Sequence, residues 1–147
     1  MHMATRISKN FTLDELTASQ TAKQMHIINA PGVDEVCNLC ALVHHVLQPL
    51  RDAMGEAIKI GSGYRCPQLN AAVGGVSNSQ HMKGEAADLC IDGNIEKGRK
   101  WFNWIKAHCE FDQLILEHNP KTGSYWVHVS YRSDGKNRKK DMELEKK

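Results

Sequence analysis

Two stretches of this chain alternate strictly between apolar and polar positions. Over residues 86–91, Ala87, Leu89 and Ile91 fall on one face and Ala86, Asp88 and Cys90 on the other, as in a strand with one buried face. Over residues 125–131, Tyr125, Val127, Val129 and Tyr131 oppose Trp126, His128 and Ser130. A third strand is expected over residues 57–63, and a fourth over 112–117. The fourth joins the 125–132 strand through a loop at 118–124 that contains Asn119-Pro120 and Gly123.

Helical spacing appears elsewhere. Val33, Val36, Cys37, Cys40, Val43, Leu47, Leu50 and Met54 form a stripe that predicts one long core helix, kinked or interrupted at Pro49. Within it, His44 and His45 read as partly exposed. Ile95, Phe102, Ile105 and Cys109 predict a second helix after an Asn94 N-cap, with Trp101 and Trp104 at the edges of the core. Thr12 and Glu15 have the spacing of a capping box and open a short helical segment reaching about Met25. Residues 29–32 form a turn, and Pro67 suits the first turn of a short helix ending near Ala72. The resulting fold class is α+β: a central, mainly antiparallel sheet flanked by helices. Residues 1–10 read as an N-terminal arm, 11–132 as the domain, and 133–147 as a polar, frayed tail without an apolar pattern.

Composition changes this picture little. At 147 residues, with a net charge of +2, the chain suits one domain and gives no argument for nucleic acid. No apolar run is long enough to span a membrane, and the first residues lack the apolar core of a signal peptide. Either a signal peptide has been removed or the protein is made in the cytoplasm, and Met1-His2-Met3 has the look of a cloning remnant. Five widely spread cysteines do not make a disulfide framework, and Cys37-x-x-Cys40 lies inside a helical pattern as two small apolar residues. The chain is expected to act as a monomer.

The chemistry concentrates around His81 and Asp88, seven positions apart among the small residues Ser79, Gly84, Ala86 and Ala87. Imidazole and carboxylate together suit zinc, which takes nitrogen and oxygen donors and is held by three protein ligands where a fourth position stays open for water. His128, on the polar face of its strand, is the third candidate, so His81, Asp88 and His128 are read as ligands of one zinc ion in an open cleft.

Ser79-x-His81-x-x-Gly84-x-Ala86-x-Asp88, followed by Trp126-x-His128-x-Ser130 and preceded by Ser62-Gly63-Tyr64-Arg65 with Pro67 and Asn70, resembles the zinc D-Ala-D-Ala carboxypeptidase and L-alanyl-D-glutamate endopeptidase family. That family shares its fold with the Hedgehog signalling domain. The resemblance runs from about Phe11 to Arg132. It implies a metallopeptidase that hydrolyses peptidoglycan stem peptides, with His81, Asp88 and His128 on zinc and Arg65 turned into the site to bind substrate. Carboxypeptidase and endopeptidase specificities both remain open. A wall enzyme without a signal peptide resembles a phage-type lysis enzyme, reaching the cell wall only if released or exported.

One feature departs from the family pattern. Several members carry an acid three positions before the last zinc histidine, where this chain has Tyr125, on the wrong strand face for the task. Glu117 is the candidate general base: in a hairpin that sets Glu117 opposite Trp126, it becomes a diagonal neighbour of His128. His118, as an oxyanion stabiliser, and Asp112 and Glu85 are weaker candidates. Ser79, Gln80, Tyr64 and Ser130 are candidate substrate-binding or ligand-orienting residues. The missing acid also leaves room for an alternative: a catalytically weak zinc-containing binding module, or a zinc-stabilised part of a larger particle.

Overall fold

The computed structural model describes residues 5–145, so the remnant-like Met1-His2-Met3 and the last two lysines lie outside the described residues. The chain opens with strands β1 (Arg6–Ser8) and β2 (Phe11–Thr12), which pair antiparallel, so the expected arm is partly tied down. Helix α1 (Leu13–Thr17) starts on the capping box: Thr12 Oγ1 accepts from the Glu15 amide at 3.3 Å, and the Thr12 amide donates to Glu15 Oε1 at 2.8 Å. Ser19 caps a separate α2 (Gln20–Gln24), so the expected single segment is two short helices.

The predicted long helix is three pieces in line: α3 (Val33–Leu42), a π-helical turn (Val43–Leu47) and α4 (Gln48–Met54), with Pro49 in the first turn of α4. Val43, Leu47 and Leu50 are buried as expected, but the buried stripe differs from the expected one in its first half. It consists of Leu39, Leu42, Val43, Val46, Leu47 and Leu50, while Val33 is 80% exposed and Cys37 lies at the surface. The wider π turn rotates the two halves relative to each other, and the large leucines take the buried positions ahead of the smaller cysteines. His44 and His45 are exposed, as expected, and His45 stacks on Tyr131.

Strand β3 (Lys59–Ser62), helix α5 (Pro67–Ala72), a 3₁₀ turn (Gln80–Lys83) and strand β4 (Ala86–Cys90) follow, then α6 (Ile95–His108), capped by Asn94. Trp101 on α6 is fully buried, deeper than the core edge where the sequence placed it. Strands β5 (Gln113–Asn119) and β6 (Ser124–Ser130) form the hairpin. The sheet order is β3-β4-β6-β5-β7, antiparallel except at its last pair.

That last strand, β7 (Lys140–Glu145), corrects the reading of residues 133–147 as a frayed tail: it runs parallel to β5. Its side chains alternate between two partners, which explains why two apolar residues suffice. Asp141 pairs with Lys106 at 3.1 Å and Glu143 pairs with Arg99, both on α6, while Met142 and Leu144 lie on the opposite face. The core lies between the helices and the sheet face carrying Ala87, Leu89, Leu114, Leu116, Val127 and Val129, all buried. The other sheet face is open. No helix among the described residues is long and apolar enough to cross a membrane.

Candidate metal centre and active-site cleft

Asp88 and His128 are register partners in the middle of the sheet, and both point to its open face. His81 reaches them from the 3₁₀ turn. Ser79 caps that turn, its hydroxyl accepting from the His81 amide at 3.2 Å. Gly84 ends it at φ +74°, where a Cβ would sit 2.3 Å from the Glu35 carbonyl oxygen of α3. Only glycine combines that conformation with so close a neighbour, and it lets the chain turn directly into β4. The small residues of the motif thus set the angle at which His81 meets Asp88.

The donor atoms of His81, Asp88 and His128 lie within 4.8 Å of one another. His81 Nε2 is 3.4 Å from Asp88 Oδ2, and His128 Nδ1 is 2.9 Å from Asp88 Oδ1. His81 Nδ1 meets the Gly63 carbonyl at 2.7 Å, which fixes Nδ1–H as the donor and turns Nε2 into the site. Two imidazole nitrogens and a carboxylate oxygen, converging at a partly open cleft, fit a zinc ion with a remaining position for water. Burial tends to raise the Asp88 pKa, but the charges and hydrogen bonds of His81 and His128 outweigh it and hold the carboxyl below its ordinary range. Burial likewise opposes charge on His128, yet the Asp88 carboxylate holds that imidazole above its ordinary value.

A cavity of about 550 Å³ opens on this triad, lined by Arg65, Ser79, Gln80, Glu117, Trp126 and Arg138 among others. A second, of about 510 Å³, lies beyond Asp88 and Trp126, which border both. The β5–β6 register sets Glu117 opposite Trp126 and Ile115 opposite His128, so Glu117 is the diagonal neighbour of His128. Trp126 Nε1–H donates to Glu117 Oε2 at 2.7 Å, and the carboxylate faces the same cavity as the three candidate ligands. Arg65 sits within electrostatic reach of Asp88 and Glu117, with its Nε buried and unpartnered. A buried N–H of this kind is a donor waiting for an acceptor.

A pattern for the family Peptidase M15 matches residues 9–130, most of the chain. The chain belongs to the peptidase M15 family. Among curated proteins, the zinc D-Ala-D-Ala carboxypeptidase of Streptomyces albus G is 52% identical over 44 residues, 29% of this chain and 17% of that relative. The chain thus matches about a sixth of the length of that relative.

Within this M15 fold the other sequence candidates separate. Ser79 and Gln80 line the cleft, Ser79 as the cap of the His81 turn. Tyr64 is instead packed in the core, because its loop folds inward where the Tyr64 amide binds the Leu16 carbonyl at 2.8 Å. Ser130 shares the parity of His128, but at the strand end it is fully buried and accepts from the Gln113 amide at 2.9 Å. His118 stacks on Tyr125 on the sheet face opposite Glu117, away from the cleft. Asp112 is buried and bound by Arg138 through Nε at 3.0 Å and Nη2 at 2.8 Å, which occupies both its oxygens. Glu85 accepts from Gln80 at 3.4 Å and is not part of the cavity wall.

Sequence reasoning missed several supports. Asn29, read only as a turn residue, accepts from the Cys66 amide at 2.7 Å and donates to the Thr17 and Tyr64 carbonyls, locking the loop that carries Arg65. Asn70 donates to the Val76 carbonyl at 2.8 Å and holds the loop at the cleft lip. The Trp126 indole bond to Glu117 was also unread, although the pairing expected for the hairpin already set the two residues face to face.

Proposed function

We propose that this protein is a zinc peptidase acting on peptidoglycan stem peptides. The observation that carries the reading is the convergence of His81, Asp88 and His128 in one cleft with Glu117 on the adjoining strand. Bound by those three residues, one zinc ion would polarise the scissile carbonyl and lower the pKa of water to about 7. Glu117, oriented by the Trp126 indole, takes a proton from the attacking water and delivers it to the leaving amine. Arg65 offers its guanidinium to a substrate carbonyl or carboxylate, for which its planar fork is suited.

One feature supports a peptide substrate cut internally rather than at its end. The cleft continues on both sides of Asp88, leaving room for residues on either side of the bond. Membership in the M15 family, and the partial relative named for D-Ala-D-Ala, supports peptide hydrolysis as the reaction and wall peptides as the substrate class. The placement of Glu117 argues against the alternative of a catalytically weak binding module, since a carboxylate takes the place of the acid absent at Tyr125.

The test is digestion of purified peptidoglycan by zinc-loaded protein, with Glu117→Gln in parallel, read by mass spectrometry. New amino termini inside the stem are expected, with the rate reduced by about 10²–10⁴-fold in Glu117→Gln at unchanged zinc content. Release of D-Ala alone would assign a carboxypeptidase. Full activity of Glu117→Gln would remove that residue from the mechanism, and no cleavage of any wall type by the parent would return the binding module.

A further inference from the structure

The family pattern ends at residue 130, yet the cleft does not. Arg138 and Leu144 line the cavity that contains the triad, and both come from the segment that forms and precedes β7. Leu144 is the register partner of Glu117, and Met142 that of Ile115, so both project from the open sheet face. They are 45% and 40% exposed, large apolar side chains with no covering element among the described residues. The opposite lip of the cavity carries Val73 and Val76, 38% and 67% exposed. The strand is held from behind rather than from the cleft: Asp141 and Glu143 bind α6, and the Lys139 and Lys140 amides donate to the Phe111 and Asp112 carbonyls at 2.9 and 3.0 Å. Its cleft face is left for something else to cover.

We propose that β7 is the outer wall of the substrate cleft, and that Leu144 is a specificity-determining residue receiving an apolar side chain of the extended peptide where it passes over Glu117. The occupant follows from continuity: Leu144 borders the same cavity as His81, Asp88 and His128, so whatever fills that cavity meets it. Arg138, through its paired bonds to buried Asp112, is the positioning residue that fixes where β7 begins. This rests on the peptidase reading above.

The experiment uses the full zinc-loaded chain and a synthetic stem pentapeptide ending in D-Ala-D-Ala. Leu144→Ala is expected to raise KM about tenfold with kcat within about twofold, the pattern of lost uniform binding, and Leu144→Met to restore most of it. Glu143→Gln, which loosens β7 from the α6 side alone, separates contact from peeling. If it reproduces the KM rise while Leu144→Met does not rescue, the effect is strand detachment and the proposal falls. Binding is read independently by titrating the pentapeptide into methyl-labelled, zinc-loaded Glu117→Gln: the Leu144 and Val76 methyl resonances should move together. Cleavage by the parent with an unchanged Leu144→Ala KM and still methyls would overturn the role of β7 and leave the peptidase intact. Shifts at Leu144 without cleavage would keep the wall and remove the peptidase. Neither cleavage nor shifts would sink both.

Discussion

Replacing Gly63 by alanine tests whether the metal centre depends on the loop behind it. A Cβ on Gly63 would lie 2.2 Å from the Leu16 carbonyl oxygen and 2.9 Å from its carbon. Both are backbone atoms, so no side chain can swing away, and the two segments must part by about 1 Å to reach ordinary contact. That movement breaks the 2.8 Å bond from the Tyr64 amide to Leu16. Overpacking of about 1–3 kcal/mol and a lost hydrogen bond of about 1 kcal/mol give a destabilisation of about 2–4 kcal/mol. The same shift moves the Gly63 carbonyl away from His81 Nδ1, now 2.7 Å distant. Loss of such an orienting partner lowers metal affinity about 10–100-fold. Urea unfolding of the metal-free protein measures the first effect, and competition for zinc with a chromogenic chelator the second. Gly123→Ala is the control: its φ is +74° but a Cβ there meets nothing within 4 Å, so a cost of about 1 kcal/mol and unchanged zinc affinity are expected. If Gly63→Ala keeps the parent's zinc affinity, the Gly63 carbonyl does not orient His81, whatever happens to stability.

Further expectations concern the same frame. Trp126→Phe removes the indole donor to Glu117 Oε2 and should lower kcat about tenfold while zinc content by mass spectrometry stays at one per chain. Saturating zinc at about 100 times its Kd should add about 2.7 kcal/mol of stability, read as a Tm rise of about 5–10 °C that EDTA reverses; an unchanged Tm would argue against a zinc site in the folded chain. Arg138 holds the Asp112 carboxyl below its ordinary range, chiefly through the side-chain hydrogen bond. A depressed folded pKa means that the stabilisation is present above the unfolded value of about 3.9 and is lost as the pH falls through the folded value. The gap in urea midpoint between the parent and Arg138→Met should therefore be open at neutral pH and close in acid; a gap independent of pH would exclude the ion pair as its source.

Legibility from sequence followed how local the determining physics is. Strands β4 and β6 were readable because one face of each packs into the core, which forces strict parity and fixes the faces of Asp88 and His128. The hairpin pairing of Glu117 with Trp126 followed from the expected loop. Strand β7 was not readable: its apolar residues, Met142 and Leu144, are half exposed, and the ion pairs that hold its other face come from Arg99 and Lys106, about forty residues away. In the α3 region the period was right and the phase was not, since a π turn inserts its extra residue without any marker in composition. Tyr64 and Ser130 failed for a different reason. Parity and proximity in sequence say which way a side chain starts, while closure by Leu16 and by Gln113 decides whether it reaches the cleft.

The site's parts are distributed according to how firmly each must be held. Asp88 and His128 stand on β4 and β6, two of the three inner strands of the sheet, and His81 is braced from three directions by Ser79, Gly63 and the Arg65 amide, which donates to the His81 carbonyl at 3.0 Å. A metal centre requires such rigidity, because displacements of a few tenths of an ångström spoil coordination. The groups at the rim of the cleft occupy looser ground: Val73 and Val76 on a loop held by Asn70, and Leu144 on an edge strand held by surface ion pairs. Substitutions at these rims can change which peptide fits without disturbing the ligands. Glu117 stands between the two regimes, on β5 between the rigid β6 and the edge strand β7. Its carboxylate is tied to the inner side by Trp126, so a change in the wall at Leu144 can leave the Glu117 carboxylate in register with His128.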